Sequence, residues 1–191
     1  MNRGRPRSGH IDQAVAEAVR ELLGEHGYQP LSIDKVAARA GVGKAGIYRR
    51  WRSKAEMVFS VVVHGTRLVP PADTGTLRGD LAALAGHIVA LLSAPDARAV
   101  VPGLVADIAA DPALAERFAA EFIDRERAVL GEILDRAAGR GELPAPGDAA
   151  FAHALLLGPI FTYLFLSGGE PPPGLPDRLA GAVLAALGAK E

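Results

Sequence analysis

Apolar residues recur along this chain with the period of a helix and hardly anywhere with the alternation of a strand. Ile11, Ala14, Val15, Ala18, Val19, Leu22 and Leu23 follow i, i+3, i+4, i+7 spacing. They predict a first helix from about His10 to His26, stopped by Gly27. Ile33, Val36, Ala37 and Ala40 predict a second, short helix. Ser32 stands where an N-cap belongs, and Asp34 in the first turn suits the positive helix end. Gly41 marks a tight connection, since glycine reaches positive φ without steric cost. A third pattern runs from about Gly43 to Trp51 with Ile47 and Trp51 inward, which leaves Lys44, Tyr48, Arg49 and Arg50 on other faces. Ser53-Lys54-Ala55-Glu56 is an S-x-x-E capping box that opens a fourth helix, with Met57, Val58, Val61 and Val62 facing a core as far as about Leu68.

Five more helices are predicted beyond the break at Pro70, Pro71 and Gly75. Leu77 to Ser93 is apolar with few charges, and Ala97 to Ala110 carries an internal Pro102-Gly103 that should kink or shorten it. Asp111-Pro112, an N-cap followed by proline at N1, restarts the chain as a long helix to about Ala138. Its mixed-charge segment, Glu121 to Arg127, reads as solvated. Asp148 to Ser167 is apolar nearly all round, bent at Pro159, and Asp177 to Leu187 closes the chain. The fold class is therefore all-α with about nine helices.

Composition narrows the function. Hydrophobic residues make up 49% and charged residues 23% of 191, which excludes a disordered or fibrous chain. With no cysteine there is no disulfide framework and no thiolate metal site. The basic, polar start is unlike a signal peptide, and the apolar stretch Ala154 to Leu166 reads as too short for a bilayer. A cytoplasmic protein without a membrane partner is expected. Net charge is only −1, but it is unevenly spread. Residues 1–54 hold eleven Lys and Arg against five Asp and Glu, a net of +6; the remaining ten against seventeen give −7. The basic end coincides with the two short helices and their glycine turn, an arrangement that matches the helix-turn-helix, whose second helix enters the DNA major groove. Ahead of it, Arg3, Arg5 and Arg7 in Arg-Gly-Arg-Pro-Arg form an extended cationic arm suited to a narrow minor groove or to phosphates.

The run AARAGVGKAGIYRRWRSKAEM, with its Gly-Val-x-Lys-x-x-Ile-Tyr core followed by an aromatic residue and Ser-Lys, resembles the N-terminal domain of the tetracycline-repressor (TetR) family of bacterial transcriptional regulators. The resemblance implies a DNA-binding domain over 1–56 and an effector-binding and dimerisation domain over 57–191. It implies a homodimer on a palindromic double-stranded operator, released by a small hydrophobic effector. Ser32, Lys44, Tyr48, Arg49, Arg50 and Lys54, with the arm, are the DNA-binding candidates. Lys44 and Lys54 would meet phosphates, and Arg49 or Arg50 a guanine edge. Gly46 stands where the family usually has Thr or Ser, so one common hydroxyl contact is absent. That departure keeps open an alternative, a ligand-binding helical bundle with a weakened or lost DNA head.

In the family the last two helices pair with their symmetry mates, and a helix apolar on all sides needs cover on more than one side. Leu155, Leu156, Ile160, Leu164, Leu179, Val183 and Leu187 are the interface candidates. For an effector pocket between helices, His87, Phe118, Phe122, His153, Phe161 and Tyr163 qualify, although each also reads as ordinary core. No phosphate loop, nucleophile elbow or metal-ligand spacing is present, so no catalytic residue, metal or cofactor is expected. An enzyme using Asp107, Glu121 or His153 would require a buried carboxylate–histidine contact.

Overall fold

The structure, a computed structural model, describes residues 7–62 and 71–189, and among these it is helical with no strand. The order is α1 Arg7–His26, α2 Ile33–Ala40, α3 Lys44–Tyr48, α4 Lys54–Val62, α5 Leu77–Ser93 and α6 Pro95–Ala110. Then follow α7 Pro112–Phe118, α8 Asp124–Gly139, α9 Ala149–Phe161 and α10 Leu175–Leu187. A π-helical turn, Ala119–Ile123, joins α7 to α8 without a break, so the long helix expected from Pro112 is one continuous rod. Counted that way, the described residues form nine helices. A second π segment, Thr162–Leu166, extends α9 beyond Pro159.

The chain divides into two compact units. The first contains α1 to α4 together with α6. Val15, Val19, Val36, Ile47, Met57 and Val58 are fully buried at its centre, as the periodicity predicts. Gly41 ends α2 in the left-handed region at φ 65°, where its N–H and that of Val42 bond back to Ala38 and Ala37 carbonyls. This is the Schellman closure, and it sets the angle at which α3 leaves. A Cβ at Gly41 would meet nothing within 4 Å, so only the backbone conformation opposes a side chain there. Gly41→Ala is expected to lower stability by about 1–2 kcal/mol in urea unfolding, the cost of a left-handed non-glycine residue. Across α1 and α2, Arg39 bonds Glu25 at 2.8 Å and Glu21 at 3.0 Å. That guanidinium holds the Glu25 carboxyl below its ordinary range.

The second unit contains α5 and α7 to α10. Helix α5 packs against α10, α8 and α9. Leu77, Leu81, Leu130, Ile133 and Leu134 fill the core. Five interface candidates, Leu156, Ile160, Leu164, Leu179 and Val183, are buried within the unit itself. Both α9 and α10 present two apolar faces, and the larger aliphatic stripe turns inward. The outer face of α9 retains Phe151, Ala154 and Leu166, with Leu155 half-buried; α10 exposes Ala182, Ala185 and Ala186, with Leu187 half-buried. The expectation drawn from Ala154 to Leu166 also needs correcting. Asp148 caps the helix six residues earlier, and Ala149–Leu166 is long and apolar enough to cross a bilayer by length and composition, with 28% of it buried.

At the start of α5 lies a buried ionic knot. Asp80, wholly buried, accepts from the Thr74 N–H at 2.8 Å and hydroxyl at 2.7 Å, and faces Arg136 at 3.4 Å and Arg140 at 3.5 Å. Burial pushes its carboxyl up, but the Thr74 and Arg136 hydrogen bonds outweigh that and hold it below the usual range. Glu142 completes the knot by accepting from the Leu77 N–H at 2.6 Å and pairing with Arg140.

Candidate nucleic-acid interface

Helix α3 is five residues long and could not stand alone. It is held by the buried Ile47 on one side and by an arginine on another. Arg50 donates to the Gly46 carbonyl at 3.1 Å and pairs through Nε with Asp12 of α1. Arg50 thus bridges α1 and α3. Arg49 is exposed, and Tyr48, at 52% exposure, is among the few large apolar-bodied side chains left on the surface. A single helical position separates a structural arginine from an available one, because the chain turns Arg50 back onto α1.

Lys44 opens α3 and reaches Asp34 of α2 at 2.7 Å, with both side chains more than half exposed. Such a pair is worth about 0–1 kcal/mol, so a phosphate can displace the carboxylate at little cost. Ser32 caps α2 by accepting from the Lys35 N–H at 3.3 Å. Ser53 likewise accepts from Glu56 N–H at 3.0 Å, while the buried Glu56 carboxylate accepts from the Arg52 N–H at 2.6 Å and fixes the α3–α4 turn. Gly46 is buried, and a Cβ there would lie 3.9 Å from the Arg49 guanidinium, an ordinary contact. Space therefore does not require glycine at this position. Arg3 and Arg5 lie outside the described residues, as does the side chain of Arg7.

Lys54 departs from its expected place. Its ammonium sits 4.0 Å over the Tyr28 ring and 3.6 Å from the Asp107 carboxylate of α6. Sequence reasoning missed this cluster, since nothing in the spacing links residues 28, 54 and 107. Lys35 and Arg52, the latter within the same Arg-Arg-Trp-Arg run, are also exposed beside the turn.

In the second unit the effector candidates scatter. His87 is exposed on α5, so it lines no interior space. Phe118 and Phe122 are buried as a tilted pair 4.9 Å apart, and Phe161 stacks similarly with Phe165 at 4.8 Å. Tyr163 is half-buried. His153 of α9 meets Glu126 of α8 at 2.8 Å, with 11% and 15% of the two side chains exposed. Glu126 is therefore not the solvated carboxylate that its mixed-charge surroundings suggested. Asp107 is bonded to Tyr28 and Glu121 is exposed; neither joins the pair. Among the described residues no group of three or more His, Asp or Glu could hold a metal.

A basic three-helix head whose second and third helices are joined by a Schellman turn, ahead of an independent helical unit, defines a helix-turn-helix transcriptional regulator. Residues 16–61 match the model for bacterial regulatory proteins of the tetR family, and 71–183 match a tetracyclin repressor-like C-terminal domain. The chain belongs to the TetR family. An HTH-type transcriptional regulator of Mycobacterium tuberculosis is 39% identical over 72% of this chain and 67% of its own length. The DNA-binding transcriptional repressor TetR of Mycobacteroides abscessus is 30% identical over 97% and 95%. Among solved structures, the TetR family transcription regulator SCO0332 shares the fold with a TM-score of 0.73, at 23% identity over 92% and 97%. As family members are regulators rather than enzymes, the His153–Glu126 contact is not part of a catalytic site.

Proposed function

We propose that this chain is a cytoplasmic, homodimeric repressor that leaves a palindromic operator when a small hydrophobic effector binds. One observation carries the DNA-reading half. The recognition helix buries Ile47 and braces itself with Arg50, leaving Tyr48 and Arg49 outward. In this reading Arg49 takes guanine O6 and N7, Tyr48 meets a thymine methyl or the backbone, and Lys44 and Ser32 meet phosphates. The arm of Arg3, Arg5 and Arg7 adds minor-groove and phosphate contacts. Residues 1–56 serve DNA, and 57–191 serve effector binding and dimerisation. The abscessus relative, a named repressor, supports repression over activation.

The dimer reading is supported by the outer face of α9 and α10. Phe151 at 49% and Leu166 at 74% exposure lie on a helix only partly covered by its own chain. A second copy, as in the family, fits that face; a bilayer would have to accommodate the His153–Glu126 pair and Pro159 as well. Two heads must then sit about 34–36 Å apart, one turn of DNA. The double change Phe151→Asp, Leu166→Asp is expected to shift the species from dimer to monomer in light scattering. Loss of the second head should weaken operator binding by about 100-fold or more.

For the effector, both π turns support a site in the second unit. Such turns cluster at functional positions, and they carry Phe122 and Tyr163. A nearly complete release needs about 5.5 kcal/mol of differential affinity between the two states. Sequencing of DNA pulled down by the purified protein, followed by gel shifts with a panel of hydrophobic compounds, tests both halves. An operator that no compound releases would end the effector half, and an absence of sequence preference would end the whole reading.

A further inference from the structure

Tyr28, Lys54, Gly103 and Asp107 meet in the first unit, and of these the sequence gives a DNA-binding role only to Lys54, as a phosphate contact. Tyr28 is buried between the end of α1 and α6, and donates its hydroxyl to Asp107 at 2.6 Å. Burial, and then this carboxylate, push the phenol's pKa upward, so it remains a donor. The ring lies on α6 at Gly103, where an added Cβ would come within 2.4 Å of it. Gly103 and Asp107 are one helical turn apart, so a single face of α6 supplies both the seat for the ring and the acceptor for its hydroxyl. The same carboxylate oxygen faces the Lys54 ammonium at 3.6 Å, over the Tyr28 ring at 4.0 Å. Only 23% of the Lys54 side chain remains exposed. A carboxylate and an aromatic face together satisfy a cation that a helix-turn-helix would otherwise offer to a phosphate.

We infer that Asp107 is a positioning residue which holds Lys54 away from the DNA backbone, so that α6 sets how many phosphates the head neutralises. Each phosphate neutralised steepens the fall of log K with log[salt] by about 0.9. The slope therefore counts whether Lys54 is engaged, and it needs no knowledge of the operator, because non-specific binding is governed by the same electrostatics.

The test is fluorescence anisotropy of the full-length protein on a labelled random-sequence duplex between about 50 and 200 mM salt. Asp107→Asn keeps an acceptor for Tyr28 but removes the charge that holds Lys54. It should bind more tightly and steepen the slope by about 0.9, an additional three- to fourfold loss across that salt range. Asp107→Glu retains the charge and should keep the wild-type slope. Adding Lys54→Gln to Asp107→Asn should abolish the gain. A wild-type slope in Asp107→Asn, or a gain that survives in the double variant, overturns the inference; thermal melts of every variant show that the head is folded when the slopes are compared.

Discussion

Arg49→Ala is expected to cost about 1–3 kcal/mol at one base-pair position of each half-site and to relax selectivity there, the value of a bidentate arginine–guanine pair. Arg50→Ala should behave differently. Its guanidinium ties α3 to Asp12 of α1 and caps the Gly46 carbonyl, so its removal should loosen the recognition helix and weaken binding to every sequence alike. Selection of bound duplexes from a random pool, carried out for both variants, separates the two effects. One variant should show a degraded preference at a single position, the other an unchanged motif with lower overall affinity. If Arg50→Ala alone altered the motif, the assignment of reader and brace would be reversed.

Asp80→Ala is expected to destabilise the second unit by about 1–3 kcal/mol, because it leaves the Thr74 N–H and hydroxyl without their buried acceptor and takes one carboxylate from Arg136 and Arg140. Asp80→Asn, which keeps an acceptor for the Thr74 N–H and hydroxyl, should lose less. The same knot predicts an acid limit. Asp80 and Glu142 both have carboxyls held below their ordinary values in the fold, so the folded state binds fewer protons than the unfolded state as pH falls. Their contribution is complete above about pH 5, where the unfolded carboxylates are already ionised, and is lost as acid protonates them in the folded state. Chemical unfolding monitored between neutral pH and pH 3 should show stability falling at the acid end, and falling less steeply in Asp80→Asn.

Much of the fold was legible because helical periodicity is a local property. Every helix of the head follows its apolar spacing, and Ser32, Gly41 and Ser53 act as cap, turn and cap where their residue types place them. The exposure of Tyr48 and Arg49 was legible, because amphipathic spacing places Ile47 inside and its neighbours out. The partners of Arg50 and Lys54 were not legible, for one reason. Each is held by a carboxylate distant in sequence, Asp12 and Asp107, and periodicity carries no information about such partners. His87 and the inward leucines of α9 and α10 show the same limit. A helix apolar on two faces announces that both need cover without saying which face its own chain takes.

Taken alone, the sequence determined an all-helical chain, a basic head with a helix-turn-helix, and the family to which these belong, since spacing, caps and charge all act over a few residues. Only the tertiary structure decided which cations stay at the surface, which apolar stripe becomes core, and that Tyr28, Lys54 and Asp107 share one site. Those outcomes depend on pairing between residues tens of positions apart, where burial and Coulombic attraction, not local propensity, choose the partner.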